Sequence, residues 1–140
     1  MTFIPQSAKE FPFKEGSILL SAKEDFMAFS IIKILSVEKI IMRAGDIKSI
    51  LGQRIQAPED DFFLVVSWKT TDYTYQSEEE AVEAIKLNRI PWKIGHIPSR
   101  PGSLTQTPKK LICYQEVTDE EIGIHKEWKK LFDENKAGVF

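Results

Sequence analysis

The run of residues 26–41, in which Phe, Ile and Val recur with few interruptions, constrains this chain more than any other feature. β-Branched and aromatic side chains pack well on a pleated surface, so the run predicts a long strand. Its period-2 order is imperfect. Phe29, Ile31, Leu35 and Val37 share one parity with Lys33, whereas Phe26, Ala28, Ile32 and Ile34 share the other with Ser30, Ser36 and Glu38. An edge strand with one wet face would alternate more cleanly, so the run reads as a strand buried on both faces in its middle, or one that bends across a barrel. Residues 62–68, FFLVVSW, are the strongest strand signal in the chain and read as the centre of a sheet. A sheet covered on both sides needs its covers from elsewhere in the sequence.

The remaining segments supply them. Residues 18–20 predict a strand joined to the long run by a turn at Lys23, Glu24 and Asp25. Residues 47–51 and 53–57 flank Gly52, a turn or bulge, and the polar stretch 58–61 precedes the 62–68 strand. Thr70, Thr71 and Asp72 then connect to Tyr73, Thr74 and Tyr75, so residues 62–75 read as a hairpin with aromatic residues on both arms. Ser77 followed by Glu80 is a capping box that opens a helix over 77–88 with Ala81, Val82, Ala84 and Ile85 as its apolar stripe. Residues 89–109 hold the richest concentration of Pro and Gly and predict a long irregular connection. A strand follows over 110–117. Thr118 and Glu121 repeat the capping box before a helix over 118–135, whose stripe is Ile124, Trp128, Leu131 and Phe132. Residues 1–16 read as an extended arm pinned by Phe3, Ile4, Phe11 and Phe13.

The expected fold is therefore α+β: one domain over 1–140, with 17–76 as its β-rich half. It is a strongly bent antiparallel sheet or half-open barrel of about five to seven strands, with two helices packed against it. A length of 140 residues suffices for one core without disulfide or metal staples, and 42% hydrophobic with 29% charged residues is ordinary globular composition. The formal net charge of −2 offers no global field for nucleic acid, and the acidic helices argue further against it. Cys113 is the single cysteine, set in an apolar strand, which excludes an internal disulfide and fits a reducing compartment. The start of the chain lacks the pattern of a secretory signal, and the apolar stretch 26–42 is broken by Lys33, Glu38 and Lys39, so no membrane span is expected. The expected location is the cytoplasm, of a bacterium or similar cell.

Tests for chemistry come back empty or incomplete. Neither a P-loop nor a dinucleotide fingerprint occurs among the seven glycines. No G-x-S-x-G elbow singles out a serine, and a lone strand cysteine is more often a small hydrophobe than a nucleophile. Glu121 and His125 stand one helical turn apart, a spacing that suits two metal ligands but that exposed helices carry by chance, so neither a metal nor a cofactor is expected. The acidic residues Glu59, Asp60 and Asp61 lie together in a predicted turn.

The segment 91–102 combines Trp92, Lys93, His96 and Arg100 with three prolines, and long connections carry function more often than cores do. The candidate ligand-binding residues are accordingly Trp92, His96 and Arg100, with Asp60 and Asp61 as the carboxylates nearest to hand. In size and order of elements the chain resembles small toxin-neutralising immunity proteins, a resemblance without a motif. The leading expectation is a non-enzymatic protein-binding module acting through a sheet edge or the acidic face of the first helix. The rival is a small enzyme or ligand-binding protein centred on His96 and Arg100.

Overall fold

The computed structural model describes residues 6–23, 26–71 and 74–140. Its centre is the predicted long strand: β2, Ala28–Met42, is flanked by β1, Ser17–Lys23, and β5, Asp61–Thr70. β6, Ile94–Ser99, and β7, Lys109–Tyr114, complete an antiparallel sheet in the order β6-β5-β2-β1-β7. β2 is long enough to serve two neighbours at different heights. Residues 28–33 pair with β1, and residues 32–42 pair with β5. A register shift between Ile34 and Ser36 bends it just past residues 32 and 33, where the two pairings overlap. Every residue from Ala28 to Ser36 is buried, so the strand is covered on both faces where its alternation is poorest.

One face carries two apolar clusters, each under a helix. Ile18, Leu20, Phe29 and Ile31 lie beneath α1, Glu78–Lys86, which contributes Ala81 and Ile85. Ile40, Met42, Phe63 and Val65 lie beneath the C-terminal helix, which contributes Trp128 and Phe132. The opposite face packs Leu19, Ile32, Ile34 and Val66 against Leu104, with Phe11 and Phe13 beside them. Leu104 ends the one-turn helix α2, Pro101–Leu104, and the C-terminal helix is α3, Asp119–Asp133. A separate hairpin, β3, Ile47–Ile50, with β4, Gln53–Gln56, turns on Leu51 and Gly52. Both adopt positive φ, 53° and 72°, as a primed two-residue turn demands, so Gly52 marks a turn.

Four expectations need correction. Residues 62–75 are not a hairpin. Asp72 and Tyr73 lie outside the described residues, and on either side of them the chain pairs with β2, with Thr71 N–H bonded to the Ile31 carbonyl and Tyr75 exchanging both backbone bonds with Phe29. A β2 this long offers partners both to β5 and to Tyr75, so the described parts of the segment pair with β2 and not with each other. The supposed irregular connection 89–109 contains β6 and α2. Pro98 misleads there: lacking an N–H it is excluded from sheet interiors but suits an edge, and β6 is an edge. Of the N-terminal arm, Phe11 and Phe13 pack on the sheet as expected, but residues Gln6–Lys9 form a 3-10 turn; Phe3 and Ile4 lie outside the described residues. The strand expected over 110–117 ends at Tyr114.

Candidate functional site

Between the two helix-covered clusters the same face of the sheet carries a strip of polar side chains. Lys33 of β2 and Lys69 of β5 are cross-strand partners, an arrangement of like charges that repel. Lys33 is only 3% exposed. α3 resolves the conflict by setting Glu121 between them. Its carboxylate stands 2.9 Å from the Lys33 ammonium and 2.5 Å from that of Lys69. Lys33 also donates to the Glu116 carbonyl at 2.8 Å, and Lys69 lies over the Trp92 ring, 4.4 Å from its centroid. Glu121 completes the capping box too: it accepts from the Thr118 N–H while the Thr118 hydroxyl accepts from its own. Burial alone would raise the Glu121 pKa, but Lys69, the Thr118 N–H and Lys33 outweigh it and hold the carboxyl at about 2.

One turn further along α3, His125 is buried against β5 and β6. Its Nδ1 lies 3.0 Å from the Ser67 hydroxyl and 3.3 Å from His96 Nε2, and its Nε2 lies 3.5 Å from the Glu38 carboxylate. The two imidazoles and Trp128 form a tilted ring cluster, and Trp128 stacks on Phe132, with ring centroids 5.0–5.8 Å apart. Trp128 satisfies its indole N–H on the Gly138 carbonyl at 3.1 Å. Burial, reinforced by His125, holds His96 at about 4, so its imidazole is neutral near pH 7.

The inward face of α3 is therefore Glu121, His125, Trp128 and Phe132, which corrects two expectations. Ile124 and Leu131 are about two-fifths exposed (39% and 40%) and do not belong to the buried stripe. The Glu121/His125 pair is not solvated but faces the sheet. Of the candidate residues, His96 and Trp92 both join this strip. Arg100 stands past the end of β6 as the N-cap of α2, its N–H bonded to the Phe140 carbonyl. Asp60 and Asp61 lie at the opposite end of β5, where Asp60 accepts from the Ala44 N–H and Asp61 pairs with Lys9 at 2.7 Å. The carboxylate that reaches the histidine pair comes instead from Glu38. Lys33 is the sequence signal for this strip, because a lysine inside a run buried on both faces demands a counter-charge.

Ser67, His125 and Glu38 have the makings of a proton relay, yet Ser67 is fully buried, and a nucleophile must reach its substrate. Among the described residues no three His, Cys, Asp or Glu side chains group to hold a metal ion, and no helix is long and apolar enough to cross a membrane. What the strip does is fasten α3 to the sheet, and this makes the fold acid-sensitive. His96 and Glu121 both titrate below their ordinary values of 6.5 and 4.5 in the folded state. Each contribution is therefore complete above the ordinary value and lost as pH falls towards the folded one. Denaturant midpoints should hold above pH 6.5 and fall from there to about 4 as His96 resists protonation, then fall further to about 2 as Glu121 does. The His96 part is at most about 3 kcal/mol, reduced by its partial exposure. His125, Glu38 and Lys129 face the same pocket of charge. His96→Gln should flatten the upper limb of this profile; an unchanged profile would remove His96 from the explanation.

A second feature lies at the other edge of the sheet. β7 pairs with β1 alone among the described strands, and Leu111 and Tyr114 are exposed along it. At its start a cavity of about 190 Å³ is lined by Leu20, Ala22, Phe26, Phe29 and Pro108, with the charged side chains of Glu78, Lys109 and Lys110 beside them. Phe26 and Met27, at the tip of the β1–β2 hairpin, are 64% and 72% exposed. No protein-family model, curated protein or solved structure matches this chain significantly.

Proposed function

We propose that this chain is a non-enzymatic binding module of the cytoplasm that takes an extended segment of a partner protein as an added strand on β7. The carrying observation is an open sheet edge with a cavity at its start that has apolar residues on one side and Glu78, Lys109 and Lys110 on the other. Strand addition needs both: unpaired backbone groups supply affinity, and a pocket for alternate side chains supplies specificity. The apolar side, with Leu20, Ala22 and Phe29, selects an apolar anchor residue in the partner. Exposed Leu111 and Phe26 extend the apolar contact beyond it. The opposite edge is less available, because Phe140 already donates its N–H to the Pro98 carbonyl of β6. The buried hydroxyl and imidazole beneath α3 favour this reading over an enzyme, and the lone Cys113 suits a reducing cytoplasm.

Selection of displayed random peptides on the full chain should enrich extended sequences with an apolar residue at one fixed position. Their binding should slow hydrogen exchange at β7 amides and weaken about tenfold or more in Leu111→Lys or Phe26→Ala. Both side chains are exposed, so neither variant should lose stability beyond about 0.5 kcal/mol. Peptides that bind equally well to both variants, or that protect amides elsewhere, would refute the proposal.

A further inference from the structure

The face of the sheet opposite α1 and α3 holds a cavity of about 310 Å³ that neither the polar strip nor the β7 edge accounts for. Its cause can be read in the strands. Ser21 of β1 is the cross-strand partner of Ser30 on β2 and of Lys109 on β7, giving a polar row across three strands, next on the same face to the apolar row of Leu19, Ile32 and Leu111. Ser21 and Ser30 are 3% and 2% exposed. Small side chains at such positions leave space that Leu or Ile would fill, and their hydroxyls line it. Thr70, Ser103 and Thr107 add three more hydroxyls, that of Thr70 donating to the Ile31 carbonyl, and the Ser21 and Thr107 hydroxyls lie 3.2 Å apart.

The walls differ in kind from this polar row. Ile94, Ile97 and the Trp68 ring form an apolar side, with the indole N–H already committed to Ser99 at 3.0 Å. A register shift between Trp68 and Thr70 in the β5–β6 pairing allows both Ile94 and Ile97 to reach the cavity, although strict alternation would send them to opposite faces. The two charged residues among the described lining are Lys23 and Lys109, both cations, and none is acidic. Lys109 is held at the rim by the Thr107 carbonyl at 2.9 Å.

We propose that this cavity binds a small organic oxyanion, with an apolar body against Trp68, Ile94 and Ile97 and a carboxylate or phosphate against Lys109 and the serine row. A volume near the lower limit of ligand pockets suits a single-ring molecule. Charge-assisted hydrogen bonds from an ammonium and hydroxyls are what an oxyanion seeks. The free protein has reason to accept one: burial, and then repulsion from Lys23, lower Lys109 to about 8, and the charge of a bound anion offsets both. This site opens on the opposite face of the sheet from the cavity at the start of β7 but shares Lys109 with it, and it does not require strand addition there.

The test titrates the full isotope-labelled chain with benzoate and with phenyl phosphate, using benzyl alcohol as the uncharged counterpart, and follows amide chemical shifts. Saturable shifts are expected at Ser21, Ser30, Thr70, Thr107 and Lys109 with at least one anion; the stronger of the two identifies the headgroup. Lys109→Met should weaken binding about tenfold or more. Near pH 8, where Lys109 is partly deprotonated, calorimetry in two buffers of different ionisation enthalpy should show proton uptake that the variant lacks. Lys23→Met, at an exposed position, repeats the test without risk to the fold and should weaken binding less. The proposal fails if neither anion gives saturable shifts there, if benzyl alcohol binds as well as the anions, or if Lys109→Met binds like the parent.

Discussion

Replacing Glu121 with Gln is expected to destabilise this protein by about 3–5 kcal/mol, the usual cost of removing one partner from a buried ionic group. Two ammonium groups would then face each other across β2 and β5 with no anion between them, one of them only 3% exposed. The change also weakens the N-terminal cap of α3, because Glu121 is the carboxylate of the capping box. Denaturant unfolding of the parent and variant at pH 7 measures the loss directly. Glu120→Gln, one residue away on the exposed side, should move stability by no more than about 0.5 kcal/mol. Adding Lys33→Met to Glu121→Gln should recover part of the loss, because it removes the charge left stranded. A Glu121→Gln protein within about 1 kcal/mol of the parent would mean that Lys33 and Lys69 find water when α3 releases them.

Truncating Phe132 to Ala should cost a comparable amount, about 3–5 kcal/mol. Its ring is fully buried, stacks on Trp128 with centroids 5.0 Å apart and meets Phe63 edge-on at 6.5 Å. Loss of the ring leaves a cavity between α3 and the β2–β5 pair that these aromatic neighbours cannot close without moving. Leu131→Ala is the informative companion. Helical spacing alone puts Leu131 in the same apolar stripe, but it is 40% exposed and should lose less than about 1 kcal/mol. Equal losses at the two positions would contradict the orientation of α3 described above.

That orientation shows how far sequence reading carries at this site. Spacing correctly placed Trp128 and Phe132 on the inner face, because large apolar side chains gain most from burial. It placed Ile124 and Leu131 there too, and left Glu121 and His125 outside. The missing quantity was the charge on the opposing surface. A helix rotates to bury whatever its neighbour requires, and this neighbour presents two lysines and a serine. His96 was legible as a residue of interest, but its partners were not. Glu38, Ser67 and His125 lie far from it in sequence and meet it only through strand pairing and helix docking. Asp60 and Asp61, the nearest guess for a carboxylate, are instead held locally by Ala44 and Lys9.

The sequence by itself determined the β-rich half, the long central strand, the break at Gly52 and the two capped helices. Each depends on side chains within a few residues of one another, where propensity, alternation and capping act. The tertiary structure alone decided that Thr71 and Tyr75 pair with β2, that the Pro-containing segment supplies edge strand β6, and that two buried serines open a cavity opposite the helices. These outcomes depend on which distant strand offers free backbone groups and where small side chains line up across strands. Such pairings become visible only once the sheet has an order.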